Sequence, residues 1–165
     1  MATTFTSTRA AAGFPVAQAQ TGGALQVAYG TLEVAANPTD GDIYKLCKIP
    51  AGSTIMGGAW YGDRLDTNGS ETLDIDIGWA ANGGSGTDDS ANPDGLGDLG
   101  TLTGDVFALG STSPTTGYIY PFAGILALGD LPTFTKETMI QAECNTTAAT
   151  FAAGAISVVV YYTTD

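Results

Sequence analysis

The sequence predicts an all-β fold: a single antiparallel β-sandwich of jelly-roll type, with an extended N-terminal arm and one long Gly/Asp-rich loop. Three observations carry that expectation. Apolar and polar residues alternate at period two in several short segments, clusters of turn residues separate those segments, and a helical period is visible almost nowhere. The chain's 165 residues suit one domain, which at that length buries enough surface for a core without staples.

The elements follow in order. Residues 1–24 are mostly Ala, Thr, Gln and Gly and hold no apolar set able to bury itself, so they are expected as an arm, disordered or laid against a partner. Arg9 followed by AAAGFPVAQAQ superficially suggests a signal peptide, but Gly13 and Pro15 break the run and it contains no Leu or Ile. The domain, residues 25–165, opens where Leu25, Val27 and Tyr29 alternate with Gln26 and Ala28, a pattern continued by Leu32-Glu33-Val34. Asn37 to Asp42 is a turn cluster. Ile43–Ile49 is a second strand, closed by Pro50-Ala51-Gly52-Ser53. Ser53 to Leu65 reads as a strand with a bulge at Gly57-Gly58. Asn68-Gly69 is a hairpin signal, because that pair readily takes the torsions of a type I′ turn. Strand, Pro-Gly turn, strand, Asn-Gly turn and strand then read as a meander.

Thr72 to Trp79 is the clearest strand: Leu73, Ile75, Ile77 and Trp79 share one face, while Thr72, Asp74, Asp76 and Gly78 share the other, expected to meet water. Ala80 to Gly100, rich in Gly, Asp, Ser and Asn, is expected as a long loop without regular structure. Asp105 to Leu109 suggests one helical turn, and Tyr118 to Leu128 a strand that tolerates Pro121 at an edge. Thr135 to Cys144 places Ile140, Ala142 and Cys144 on one face, and Ile156 to Thr163 is a β-branched and aromatic last strand.

Composition excludes several function classes. Seventeen acids against five bases give a net charge of −12, so the chain has no basic patch to neutralise a row of phosphates. Its 44% hydrophobic content argues against an acidic disordered tail. The absence of histidine removes Ser-His-Asp and Cys-His chemistry and imidazole metal ligands. No apolar run is long enough for a membrane helix. Cys47 and Cys144 are far apart and have no ligand-like spacing; two buried free thiols are the favoured reading, with one bridge as the alternative.

The remaining motifs each have a plainer reading. Gly95-Leu96-Gly97-Asp98-Leu99-Gly100 matches the dinucleotide fingerprint in letters, but Asn92-Pro93-Asp94 precedes it and Asp88, Asp89, Asp94 and Asp98 would repel a phosphate. Asp74 and Asp76 lie roughly 7 Å apart along a strand face, within the range of inverting glycosidase carboxylates, yet a solvated face explains them as well. Asp63, Asp66, Asn68 and Glu71, and then Asp88, Asp89, Asp94 and Asp98, are oxygen-rich sets that calcium would accept, but they lack a helix–loop–helix ligand spacing. Trp60, Tyr61 and Trp79 are the aromatics from which a sugar-stacking platform would be made, although core anchors are the commoner use. The residues therefore nominate no catalytic, cofactor-binding or metal-ligating site.

One resemblance goes further. Lys45-Leu46-Cys47-Lys48-Ile49-Pro50-Ala51-Gly52-Ser53-Thr54-Ile55, then Asp63-Arg64-Leu65-Asp66, Leu73-Asp74-Ile75-Asp76-Ile77-Gly78-Trp79 and the late strand Ile156 to Tyr162 resemble small β-sandwich head decoration, or cement, proteins of tailed bacteriophages. The likeness in layout spans residues 25–165. It implies a non-enzymatic structural virion protein without a cofactor, bound to the outer capsid surface. Its partner would be the major capsid protein, it would commonly form homotrimers, and its arm would reach neighbouring subunits. Neither nucleic acid nor membrane is implied. The alternative is a carbohydrate-binding or host-attachment β-sandwich. More than half of the acids lie from Asp63 to Asp105, which marks one outward surface, while the nearly uncharged stretch before Glu33 marks the contact side.

Overall fold

A computed structural model describes residues 2–7, 10–11, 24–97, 118–122 and 130–164. Its strands are β1 (Thr4–Thr6), β2 (Gln26–Val34), β3 (Ile43–Ile49), β4 (Ser53–Gly62), β5 (Asp74–Trp79), β6 (Asn92–Gly97), β7 (Tyr118–Pro121), β8 (Thr133–Phe134), β9 (Thr138–Thr146) and β10 (Gly154–Thr164). They form two sheets, β1-β3-β9-β5-β6 and β2-β10-β4-β7, with β8 pairing on β4. The fold is the all-β sandwich that the alternating segments predict.

The core lies between the sheets. From the first come Ile49, Ile75, Ile77, Ile140, Ala142 and Cys144; from the second come Ile55, Trp60, Ile156, Val158, Val160 and Tyr162. Period two does the sorting: in β10 the buried residues are Ile156, Val158, Val160, Tyr162 and Thr164, and the residues between them face outward.

The predicted meander is not formed. β3 and β5 belong to the first sheet, and β4, which lies between them in the chain, belongs to the second. The Pro-Gly turn marks where the chain reverses. The sheet that receives β4 is decided by its apolar match with β10, a strand a hundred residues away. Asn68-Gly69 likewise makes no two-residue hairpin; it sits in the connection from β4 to β5, which crosses from one sheet to the other. The expected bulge in β4 is present, as a register shift against β10 at Tyr161/Tyr162. Gly58 is required there: a Cβ would stand 2.2 Å from the Val159 carbonyl oxygen and 2.4 Å from the Phe122 ring.

Two further expectations are corrected. Ala80 to Gly100 is not structureless: it holds a short 3-10 turn, Thr87–Asp89, and strand β6, which pairs with β5. Trp79 organises this hairpin, donating from Nε1 to the Ser90 carbonyl oxygen at 2.9 Å and packing over Gly95, where a Cβ would come within 2.4 Å of the indole. Gly95 and Gly97 of the fingerprint-like run thus serve an indole and a strand. At the N-terminus, Thr4–Thr6 adds to the chain's own sheet as a parallel edge strand on β3, and the Phe5 and Tyr44 rings stack at 5.1 Å. The helical turn expected at 105–109 and the strand expected beyond Phe122 lie outside the described residues.

Candidate interaction face

Of the oxygen-rich acids, Asp63, Asp66, Asp88 and Asp89 hold loops together, while Asp98 lies outside the described residues. Asp66, almost fully buried, accepts hydrogen bonds from five backbone amides: Asn68 and Thr150 on Oδ1, and Thr72, Leu73 and Ala149 on Oδ2. It pins the β4–β5 connection to the β9–β10 connection. Burial alone would raise its pKa, but the amides outweigh that and hold it at about 2. Beside it, Arg64 bridges Glu71 at 2.7 Å.

Asp89 plays the same part at the other end. It accepts from the Thr135 hydroxyl and amide, from Asn82 Nδ2 at 2.6 Å and from the Gly86 amide at 2.7 Å. The Thr135 hydroxyl bond comes first among the causes that keep its carboxyl well below the usual range. Asp88 accepts from the Thr133 amide at 2.9 Å and Asp63 from the Ala155 amide at 2.8 Å. Asp42, a buried acid not singled out in the sequence, accepts from the amides of Thr3 and Thr39 at 2.6 and 2.9 Å. Burial pushes its pKa up, and these bonds bring it below normal. Among the described residues, no group of three or more Cys, Asp and Glu is placed to hold a metal ion.

Asp74 and Asp76 do not lie on an open solvated face. Asp76 is buried, opposite Glu143 in register, and accepts from Asn145 Nδ2 at 2.6 Å. β5 is flanked by β9 and β6, so a hydrogen-bonded neighbour covers each of its edges. Trp60 and Trp79 are both buried, the latter edge-on to Phe134 at 5.2 Å, and only Tyr61 of the aromatic trio is exposed. No stacking platform is built from them. Cys47 and Cys144 are both buried. Cys47 stands opposite Ile140, four residues along β9 from Cys144 and hence about 13 Å away, far beyond disulfide reach.

What sequence reasoning missed is a surface. Inward residues of β2, β10 and β4 feed the core, and their outward residues line up in cross-strand rows: Val27–Tyr161–Gly57, then Tyr29–Val159–Ala59–Pro121, then Thr31–Ser157–Tyr61. Tyr29 is 50% exposed, Val27 48%, Tyr161 41% and Tyr61 39%. None of these rows carries a charge; Glu33 and Asp63 come at one end, beyond the last row. The outer side of the first sheet is different: Lys45, Lys48 and Glu143 stand on it, and Lys48 pairs with Glu137 at 2.9 Å. The signal was present in the run ISVVVYYT, which is apolar on both faces, whereas a strand with one wet face alternates.

These features define a class: a two-sheet β-sandwich with acid-clamped loops, one charged exterior and one apolar exterior. Solved structures similar to it over nearly their whole length are phage capsids. The chain is similar to one in the capsid of Ralstonia phage GP4, with a TM-score of 0.69, 18% identity and 98% of each chain covered. It is similar to one in the capsid asymmetric unit of cyanophage Pam1, with a TM-score of 0.62, 23% identity, and 94% of this chain and 96% of that one covered. A third, in the acid-stable capsid of Helicobacter pylori bacteriophage KHP30, gives a TM-score of 0.53 at 13% identity, covering 86% of this chain and 90% of that one. At these identities the likeness is one of fold. No family model and no curated protein matches the sequence.

Proposed function

We propose that this chain is a non-enzymatic structural virion protein, a head decoration (cement) protein that binds the outer surface of a phage capsid. It stabilises the lattice by bridging subunits of the major capsid protein, and it acts as a homotrimer. The observation that carries the reading is the pairing of a capsid-type sandwich, matched end to end, with an uncharged apolar sheet face on an otherwise acidic chain. The net charge of −12 suits an exterior position and disfavours one beside packaged DNA, where phosphates would repel it. Bridging is assigned to the arm of residues 1–24, apart from Thr4–Thr6, which pair with the chain's own sheet, and to the sheet edges. Each contact is weak alone, and repetition over the lattice makes the sum strong through effective concentration.

Co-sedimentation of the purified chain with capsids assembled without it tests this reading. Saturable, stoichiometric retention is expected, and no retention would refute it. The buried positions of Trp60 and Trp79 give the carbohydrate-binding alternative no support from those two residues. Retention on a glycan array in place of capsids would nonetheless favour it.

A further inference from the structure

We infer that the outer face of the β2-β10-β4 sheet is the surface through which copies of this chain associate with one another. This deepens the homotrimer reading above and rests on it for the symmetry alone. Three observations point to a second copy as the occupant.

The first is area. Leu25, Val27, Tyr29, Met56, Tyr61 and Tyr161 are all at least 39% exposed. Together they present on the order of 600 Å², the upper end of what a monomer leaves as its largest apolar patch and close to the ~800 Å² each partner gives a standard interface.

The second is charge. Two copies at −12 each repel one another over most of their surfaces. The three uncharged cross-strand rows are where they meet with least electrostatic opposition, Glu33 and Asp63 lying at the margin. Depletion of charge at the centre with charge at the rim is also the ordinary anatomy of a protein interface.

The third is shape. The face carries both halves of a contact: tyrosine knobs at Tyr29 on β2 and Tyr161 on β10, and a low floor at Gly57 and Ala59 on β4. Seating the β2 flank of one copy, with Val27 and Tyr29, on the β4 floor of the next makes a head-to-tail contact, which a threefold rotation closes into a ring, in place of a face-to-face pair. Tyrosine suits the role, because its ring buries area while its hydroxyl stays satisfied at a wet margin.

Sedimentation velocity over a concentration series tests the assignment, using the full chain and the single variants Val27→Asp, Tyr161→Asp and Tyr161→Phe, with Lys48→Ala on the opposite sheet as control. The wild type, Tyr161→Phe and Lys48→Ala are expected to sediment as the same oligomer. Each Asp variant is expected to raise the dissociation constant at least 100-fold and to sediment at 16.7 kDa. Amide hydrogen exchange of the wild type needs no variant: raising the concentration should protect 26–34 and 154–164 and leave 43–49 unchanged. A monomeric wild type would overturn the inference, as would Asp variants that fold and oligomerise normally, or protection confined to other strands. Capsid retention separates the two proposals. Asp variants that stay oligomeric yet lose capsid retention would assign the face to the capsid and overturn self-association alone. Asp-sensitive oligomers with no capsid retention even in the wild type would overturn the virion reading and leave the self-association face standing.

Discussion

Replacing Asp66 by Asn keeps the side chain's size and removes its charge, which makes it a direct test of how the loops are held. In the wild type the two carboxylate oxygens receive five backbone amides. An asparagine oxygen serves one side of that cluster, and its NH₂ group must face the amides on the other. The structure sets the magnitude. Amide bonding takes the carboxyl from an ordinary 3.8 to about 2; at 1.36 kcal/mol per pKa unit, its charged form contributes about 2 kcal/mol. Opposed donors add about 1 kcal/mol more. Urea unfolding at pH 7 should therefore find Asp66→Asn less stable by about 3 kcal/mol at unchanged slope. The sign of the pH dependence follows from a folded pKa that lies below the unfolded one. The contribution is complete above about pH 4 and is lost as the pH falls through about 2, so the two stability curves should converge in acid. Asp42 and Asp89 titrate in both proteins and cancel in the difference. A loss under 0.5 kcal/mol at pH 7, or a gap that stays constant down to pH 2, would refute the clamp.

Other outcomes are expected together. Gly58→Ala forces a Cβ against the Val159 carbonyl oxygen, with no flexible side chain to move aside there, and should cost about 2 kcal/mol or more in urea unfolding; an unchanged midpoint would contradict the close approach. Deleting residues 2–7 removes β1, the Phe5–Tyr44 stack and one of Asp42's amide donors; a loss of about 2 kcal/mol is expected with the sandwich still folded, and no loss would mean the edge pairing is not made in solution. Cys47 and Cys144 are buried, and burial comes first in pushing the Cys144 thiol up to about 12, so a thiol reagent should label neither in the native protein and both in urea without reductant. Rapid native labelling, or fewer than two free thiols after unfolding, would overturn that assignment.

Strand positions were legible wherever period-two alternation or β-branched and aromatic content marks a run. Ile43–Ile49 is found at its expected bounds, and Ile156 to Thr163 lies within β10. Partner choice was not legible, because turn residues such as Pro50 and Gly52 encode a local reversal, while β4 is assigned to its sheet by a remote apolar strand. The Gly/Asp-rich stretch misled for another reason. Its glycines look like chain freedom in one dimension, whereas Gly95 makes room for an indole and Asp89 ties the turn to Thr135. Acids were read by their ligand chemistry as candidate cation sites. In the fold their nearest positive partial charges are backbone amides, which fixed connections supply from residues as distant as Thr150 and which no spacing rule displays. The interaction face was half visible, in the uncharged run before Glu33; its other half, on β4 and β10, emerged only with the register.

Co-sedimentation of the chain with capsids assembled without it, read as copies bound per capsid against chain concentration, tests the central claim most directly. Binding that saturates at a fixed number of copies per capsid subunit, with capsids that then withstand higher temperature, is the result predicted for a lattice-stabilising virion protein. A chain that stays in the supernatant at every concentration, with capsid melting unchanged, would contradict it.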